Sequence, residues 1–336
     1  ASALSAFGAK EIGASRGESA YVWEESDAYR ALVVEGLGTK NLVADAVSEF
    51  TGKSHYDTIA QDAIAMIVND LIVVGALPQV INAYWAVGDN EWMRDKRRAG
   101  DLINGWADAC KSIGATWGGG ETPILKGVIS PNTIDIGGSS IGLIKPKNRL
   151  VLGDKLSAQD AIVLIESSGI HANGITFVRG LAAKDPDIYK APLNDGRKFG
   201  EAILTPTHLY VNLVRNLLEA GVDPHYMVNI TGHGWRKLMR ANKDFSYEIS
   251  ELPPVPAEFG FMRERSGADD KEMYGNFNMG AGFAVYVAPD DVPAVVDLAA
   301  KSGLKAYNCG VVKDGDKQVV IKPKNITFAG SSLEVR

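Results

Sequence analysis

Three times in this chain a short apolar, β-branched run breaks into a polar, glycine-bearing turn and then into a helical pattern. The runs are Ala31–Val34, Ala161–Ile165 and Met227–Ile230, and the turns are Glu35–Lys40, Ser167–Gly174 and Thr231–Gly234. Such runs read as buried strands, and their repeated exit into helices predicts α/β or α+β layers. Further strands are predicted at Val80–Val87, Ile134–Ile144, Phe283–Val287, Gly310–Val312 and Val319–Ile321. Helices are predicted at Asn41–Phe50, Asp57–Gly75, Glu91–Ile113, Gly174–Ala183, Thr207–Ala220 and Asp291–Ser302. Lys145-Pro146-Lys147-Asn148-Arg149 reads as a crossing between two domains, 1–148 and 149–336.

At 336 residues the chain has length for about two domains. A net charge of −6 argues against a nucleic-acid surface. No apolar run approaches the roughly 20 residues of a membrane span. Ala1–Gly8 lacks the basic start and apolar run of a signal peptide. Cys110 and Cys309 fall one in each half, which describes neither a disulfide framework nor a zinc site and fits a reduced compartment.

The turns carry the chemistry. In Glu35-Gly36-Leu37-Gly38-Thr39-Lys40 the carboxylate can hold Mg²⁺, the glycines can admit phosphate and Lys40 can neutralise it. The spacing is not that of a Walker A loop, and an ordinary glycine turn with solvated charges has the same composition. Asp62 and Asn69 stand seven residues apart in a strongly apolar helix, so they share a face, with Asp70 beside them. Buried carboxylates there need a cation or a partner, unless they cap the helix or face solvent. Gly118-Gly119-Gly120-Glu121-Thr122 predicts a loop that wraps an anion, with Glu121 a metal ligand or base, or else a merely flexible loop. Ser168, His171 and Asn173 sit at a helix start suited to an anion or substrate. Thr231 can cap the following helix and His233 can meet a phosphate, although loop histidines also serve as caps or surface residues.

In this order the tracts resemble the aminoimidazole ribonucleotide synthetase family, the phosphoribosylformylglycinamidine cyclo-ligases. The resemblance runs through Val34–Lys40, Asp62–Asp70 with Gly75, Ala76 and Pro78, and Gly119–Thr122. It continues through Ser167–Gly174, Leu204–Thr207 with Tyr210 and Val211, and Glu272–Gly282. It implies a two-domain α/β fold, N-terminal sheets joined in a homodimer near the ATP site, a cytoplasmic enzyme, and ATP-dependent ring closure of a phosphoribosyl substrate with Mg²⁺.

On that resemblance the catalytic residues are Lys40, Glu121, His171 and His233. ATP is held by Glu35, Gly36, Gly38, Thr39, Lys40, Asn69, Gly119, Gly120 and Thr122. Substrate is held by Ser168, Asn173, Thr231, Gly232 and Gly234, and metal by Glu35, Asp62, Asn69 and Asp70. Asp62→Asn is then expected to abolish ATP turnover without unfolding the chain. Two departures stand out: Glu35 where the family has Asp, and Asn229 where it usually has His, with His233 as the available substitute. Another ATP-dependent member of the superfamily, kinase-like toward a small molecule, and a non-catalytic nucleotide-binding paralogue are the alternatives.

Overall fold

The computed structural model describes residues 3–333; Ala1, Ser2 and Glu334–Arg336, at the ends of the tracts read above, lie outside the described residues. The strands are β1 (Lys10–Glu11), β2 (Tyr21–Glu24), β3 (Tyr29–Gly36), β4 (Leu77–Val87), β5 (Thr116–Glu121), β6 (Ile134–Ile144), β7 (Ala161–Glu166), β8 (Tyr226–Asn229), β9 (Phe245–Ile249), β10 (Ala281–Val287), β11 (Ala306–Asp314), β12 (Gln318–Ile321) and β13 (Ile326–Ala329). The helices are α1 (Lys40–Thr51), α2 (Tyr56–Ile72), α3 (Asn90–Arg94), α4 (Lys96–Ser112), α5 (Ile175–Lys184), α6 (Phe199–Ile203), α7 (Val211–Glu219), α8 (Ala257–Ser266), α9 (Asp270–Asn276) and α10 (Val292–Lys301).

Two sheets organise them. The first has the order β1-β2-β3-β6-β4-β5, antiparallel except for the parallel pair β4–β5. The second has the order β13-β12-β9-β11-β7-β10-β8, antiparallel except for β12–β9. Helix α2 packs its apolar faces on β3 and β6 on one side and on α4 on the other. Glycines in β6 permit that approach. A Cβ on Gly138 would lie 2.9 Å from Ile67 Cδ1, and one on Gly142 2.8 Å from Leu71 Cδ2.

Among the described residues no helix covers the opposite face of the first sheet, and Val34, Val80, Tyr84 and Ile141 stay exposed on it. Side chains alternate between faces along a strand. Val33 therefore points into the core, Val34 out and Glu35 back toward the inner side.

Three sequence expectations are corrected. The single helix over Glu91–Ile113 is two, because Asp95 leaves the helical conformation and accepts bonds from the amides of Arg97 and Arg98, capping α4. Thr207–Tyr210 stay outside α7, because their backbone groups are taken by side chains of α2. The triple-glycine tract is not a loop: Thr116–Glu121 forms the edge strand β5.

Candidate active site

The two halves meet along α1 and α2, and the polar residues of these helices divide into two groups. The first group holds the segment 205–210. Lys40 and Asp62, both fully buried, form an ion pair at 2.7 Å. The Lys40 ammonium also donates to Thr205 O at 3.1 Å. Asp62 Oδ1 accepts from the Thr207 amide at 2.8 Å and from its hydroxyl. Gln61 donates to Thr207 O at 2.8 Å. Asn69 donates to His208 O at 2.9 Å and accepts from the Tyr210 amide at 3.0 Å.

The shared face of Asp62 and Asn69 is thus real, but its partner is protein backbone, and both atoms of the Asn69 amide are occupied. The structure keeps Asp62, Asn69 and Lys40 out of an open metal or phosphate site. Burial pushes the Lys40 ammonium below its ordinary value, and Asp62 opposes that shift.

The second group lies at the junction of the halves. Glu35, the penultimate residue of β3, lies on the inner side of the sheet, within range of the charge of Asp70 on α2. Asp70 Oδ1 accepts from Asn229 Nδ2 at 2.6 Å. Asn229 is the last residue of β8, and Thr231–Gly234 follow it after Ile230. Gly234–Met239 form a 3-10 turn that presents the buried Lys237, whose ammonium donates to Thr231 Oγ1. Thr231 is therefore an acceptor for Lys237 and not a helix cap. Asn173 Nδ2 reaches Met66 Sδ at 3.3 Å, and its Oδ1 lies beside Gly232. Met66 is one helical turn before Asp70, which puts Asn173 and the Thr231 turn on the same side of α2 as Asp70.

The electrostatics are those of two unlike clusters. Burial raises the Glu35 carboxyl above its ordinary value and the charge of Asp70 raises it further. Burial lowers the Lys237 ammonium, against the pull of Asp70. Burial, then Lys237, Arg236 and Arg240, lower His233, so its imidazole is neutral at pH 7. His171 is lowered well below its ordinary value by burial, His208 and Lys40. Its Nε2 accepts from the Ser168 amide at 3.2 Å, and Ser168 Oγ donates to Pro206 O at 2.6 Å. These two residues shape the turn from within.

Glu121 is not brought to Glu35. The register row Gly36–Gly137–Tyr84–Glu121 runs across the sheet, and its side chains share the outer face. Gly119, Gly120 and Thr122 lie exposed at the same edge. Gly36, Gly38 and Thr39 bridge β3 to the start of α1, with Gly38 at a φ of 78°, a conformation that favours glycine.

Sequence reasoning missed Lys237 and the clamping role of Thr207. The signal for the first was present, a lysine six residues past Thr231, but a 3-10 turn hides it from a 3.6-residue period.

The sign of the Glu35 shift gives a test. The folded chain keeps the Glu35 proton to a higher pH than the unfolded chain, so it binds more protons in that window and loses stability as pH rises through it. Glu35→Gln is expected to leave the ligand-free Tm at about pH 8 unchanged or raised while abolishing any upward shift of Tm by Mg²⁺ and nucleotide; differential scanning calorimetry with and without ligand reads both.

A helix-backed sheet joined to a second mixed layer, with paired carboxylates and buried cations at the junction, defines a two-domain α/β protein with an interdomain polar site. Residues 17–144 match the N-terminal domain of AIR synthase related proteins, and residues 157–322 match the C-terminal domain. The chain is 34% identical over 294 residues to the phosphoribosylformylglycinamidine cyclo-ligase of Methanothermobacter thermautotrophicus, covering 87% of this chain and 82% of that one. It is 35% identical over 306 residues to that of Pyrococcus horikoshii, covering 90% and 84%. The solved structure of the hydrogenase maturation protein HypE in complex with ATP is similar at a TM-score of 0.62 and 18% identity, covering 82% of this chain and 79% of that one. The chain belongs to the family of AIR synthase, the phosphoribosylformylglycinamidine cyclo-ligases and their relatives.

Proposed function

We propose that this chain converts formylglycinamidine ribonucleotide to aminoimidazole ribonucleotide, with ATP going to ADP and phosphate. The observation that carries the reading is the polar junction between the halves. In a chain a third identical to named cyclo-ligases, Asn229 ties Asp70 to the end of β8, and the turn that follows brings in the buried Lys237.

The donor set fits Mg²⁺. Glu35 and Asp70 are hard oxygen ligands, and their mutual repulsion in a partly desolvated place is what a divalent cation relieves. When bound there, the ion would supply charge stabilisation to phosphate oxygens. Gly36, Gly38 and Thr39 border the polyphosphate at the start of α1. Asn173, Thr231, Gly232 and Gly234 hold the ribonucleotide.

The substrate's amide oxygen attacks the γ-phosphorus and ADP leaves. The neighbouring nitrogen then attacks the activated carbon, the carbon–oxygen bond breaks and phosphate departs. His233, neutral at pH 7, takes the proton released as the ring closes. Asn229 holds Asp70 in place in this scheme and moves no proton itself.

The same reading includes a cytoplasmic homodimer. Val34 and Tyr84 line a concavity of about 430 Å³ on the uncovered sheet face, where Val80 and Ile141 are also exposed, and a second copy would cover it. Glu121 and Thr122 serve the site only across such a contact. Both cysteines are free and buried, in keeping with a reducing compartment. The test follows the oxygen: with substrate labelled by heavy oxygen at the amide, the label is expected in the released phosphate. Unlabelled phosphate alongside ring closure would contradict the phosphorylated amide.

A further inference from the structure

Lys237 is a buried cation in search of an anion. Its side chain is 6% exposed, and the only hydrogen bond it makes among the described residues is to Thr231 Oγ1. An ammonium has three protons to donate, so two are left over. Asp70 and Glu35 act on it through their charge but form no ion pair with it. Arg240 is already committed, donating to Gly17 O at 2.9 Å and lying 3.8 Å from Glu18.

The lysine is also held in place. Trp235 Nε1 donates to Asn278 O at 2.7 Å, Arg236 Nε to Gly275 O at 2.9 Å, and Tyr286 OH to Leu238 O at 2.6 Å. Gly234, at a φ of 52°, lets the turn seat against α9, where a Cβ would lie 2.3 Å from Tyr274 O. The turn therefore cannot swing Lys237 out to water without breaking its anchors on α9, the segment after it and β10.

An uncompensated buried charge is costly unless a ligand completes it. Here a carboxylate pair and an ammonium stand within range of each other's charge, yet among the described residues neither makes a direct ion pair with the other. A divalent cation carrying a phosphoryl group satisfies both at once. Resting on the nucleotide reading above, we propose that Lys237 is a phosphoryl-binding residue whose ammonium takes an oxygen of a phosphate group held at the Glu35–Asp70 pair. The phosphate is the γ-group of the nucleotide or the ester of the ribonucleotide; both present the same oxygens.

Titration calorimetry on the wild type, Lys237→Met and Lys237→Arg distinguishes these sources. The probes are Mg·ADP, a non-hydrolysable Mg·ATP analogue and formylglycinamidine ribonucleotide. Loss of a charge-assisted hydrogen bond predicts that Lys237→Met weakens one phosphate ligand by about tenfold or more, with Lys237→Arg recovering much of it. Loss confined to the ATP analogue, with ADP unchanged, assigns the γ-phosphate; loss confined to the ribonucleotide assigns the ester. The ligand-free Tm of each variant, read alongside, separates a loss of folding from a loss of binding. Should the Met variant fail to fold, Lys237→Gln, which keeps a hydrogen bond to Thr231 without the charge, carries the same comparison. Wild type binding with both neutral variants unchanged overturns the role of Lys237 alone; wild type that binds none of the probes overturns the nucleotide reading and this proposal together.

Discussion

Replacing Asp62 by alanine is expected to cost about 3–5 kcal/mol of folding stability. The substitution strands the fully buried Lys40 ammonium, whose carboxylate partner stood at 2.7 Å, and removes the acceptor for the Thr207 amide and hydroxyl. The segment 205–210 then loses its central tether between the halves. Asp62→Asn keeps an acceptor for Thr207 but not the charge, so it too is expected to destabilise. That reverses the expectation drawn from sequence, that this change would silence the enzyme and leave the fold intact. Urea denaturation checks it as a lowered midpoint. Pairing the change as Lys40→Met with Asp62→Leu is expected to return much of the stability, because an apolar pair leaves no charge stranded. An Asp62→Ala chain as stable as wild type would remove the clamp from the description of this interface.

Asp70→Asn, eight residues along the same helix, is expected to do the opposite. The introduced amide oxygen still accepts from Asn229, so the bond at 2.6 Å survives in kind. Removing a like charge also relieves Glu35. The Tm is expected to hold. Phosphate release from Mg·ATP is expected to fall on the order of 10²-fold or more, the scale of losing a pre-organised charge at a phosphoryl centre. A stable Asp70→Asn variant with full turnover would take the carboxylate pair out of the chemistry.

The contrast between these two aspartates marks the limit of what was legible. Helical spacing put Asp62 and Asn69 on one face, and they do share it. What they face, residues 205–210, lies about 140 positions away in sequence, and no local pattern announces it. The apolar runs of β7 and β10 were readable because burial on both sides demands continuous apolar strands. Strand parity was decisive for Glu121: a carboxylate next to glycines resembles a ligand, but its register with Tyr84 turns it to the outer face. Asp95 was masked by its charged neighbours, although an acidic residue two and three positions before free amides is a cap. Lys237 escaped because its 3-10 turn follows neither strand nor α-helical spacing. The order of the glycine and carboxylate tracts, by contrast, identified the family outright.

The most direct measurement is release of phosphate by the purified chain with Mg·ATP, with and without formylglycinamidine ribonucleotide, alongside assay of the ring-closed product. Release that requires the ribonucleotide, one phosphate for each aminoimidazole ribonucleotide formed, is the expected result. Binding of Mg·ATP with no ribonucleotide-dependent release and no ring-closed product would contradict the proposed reaction.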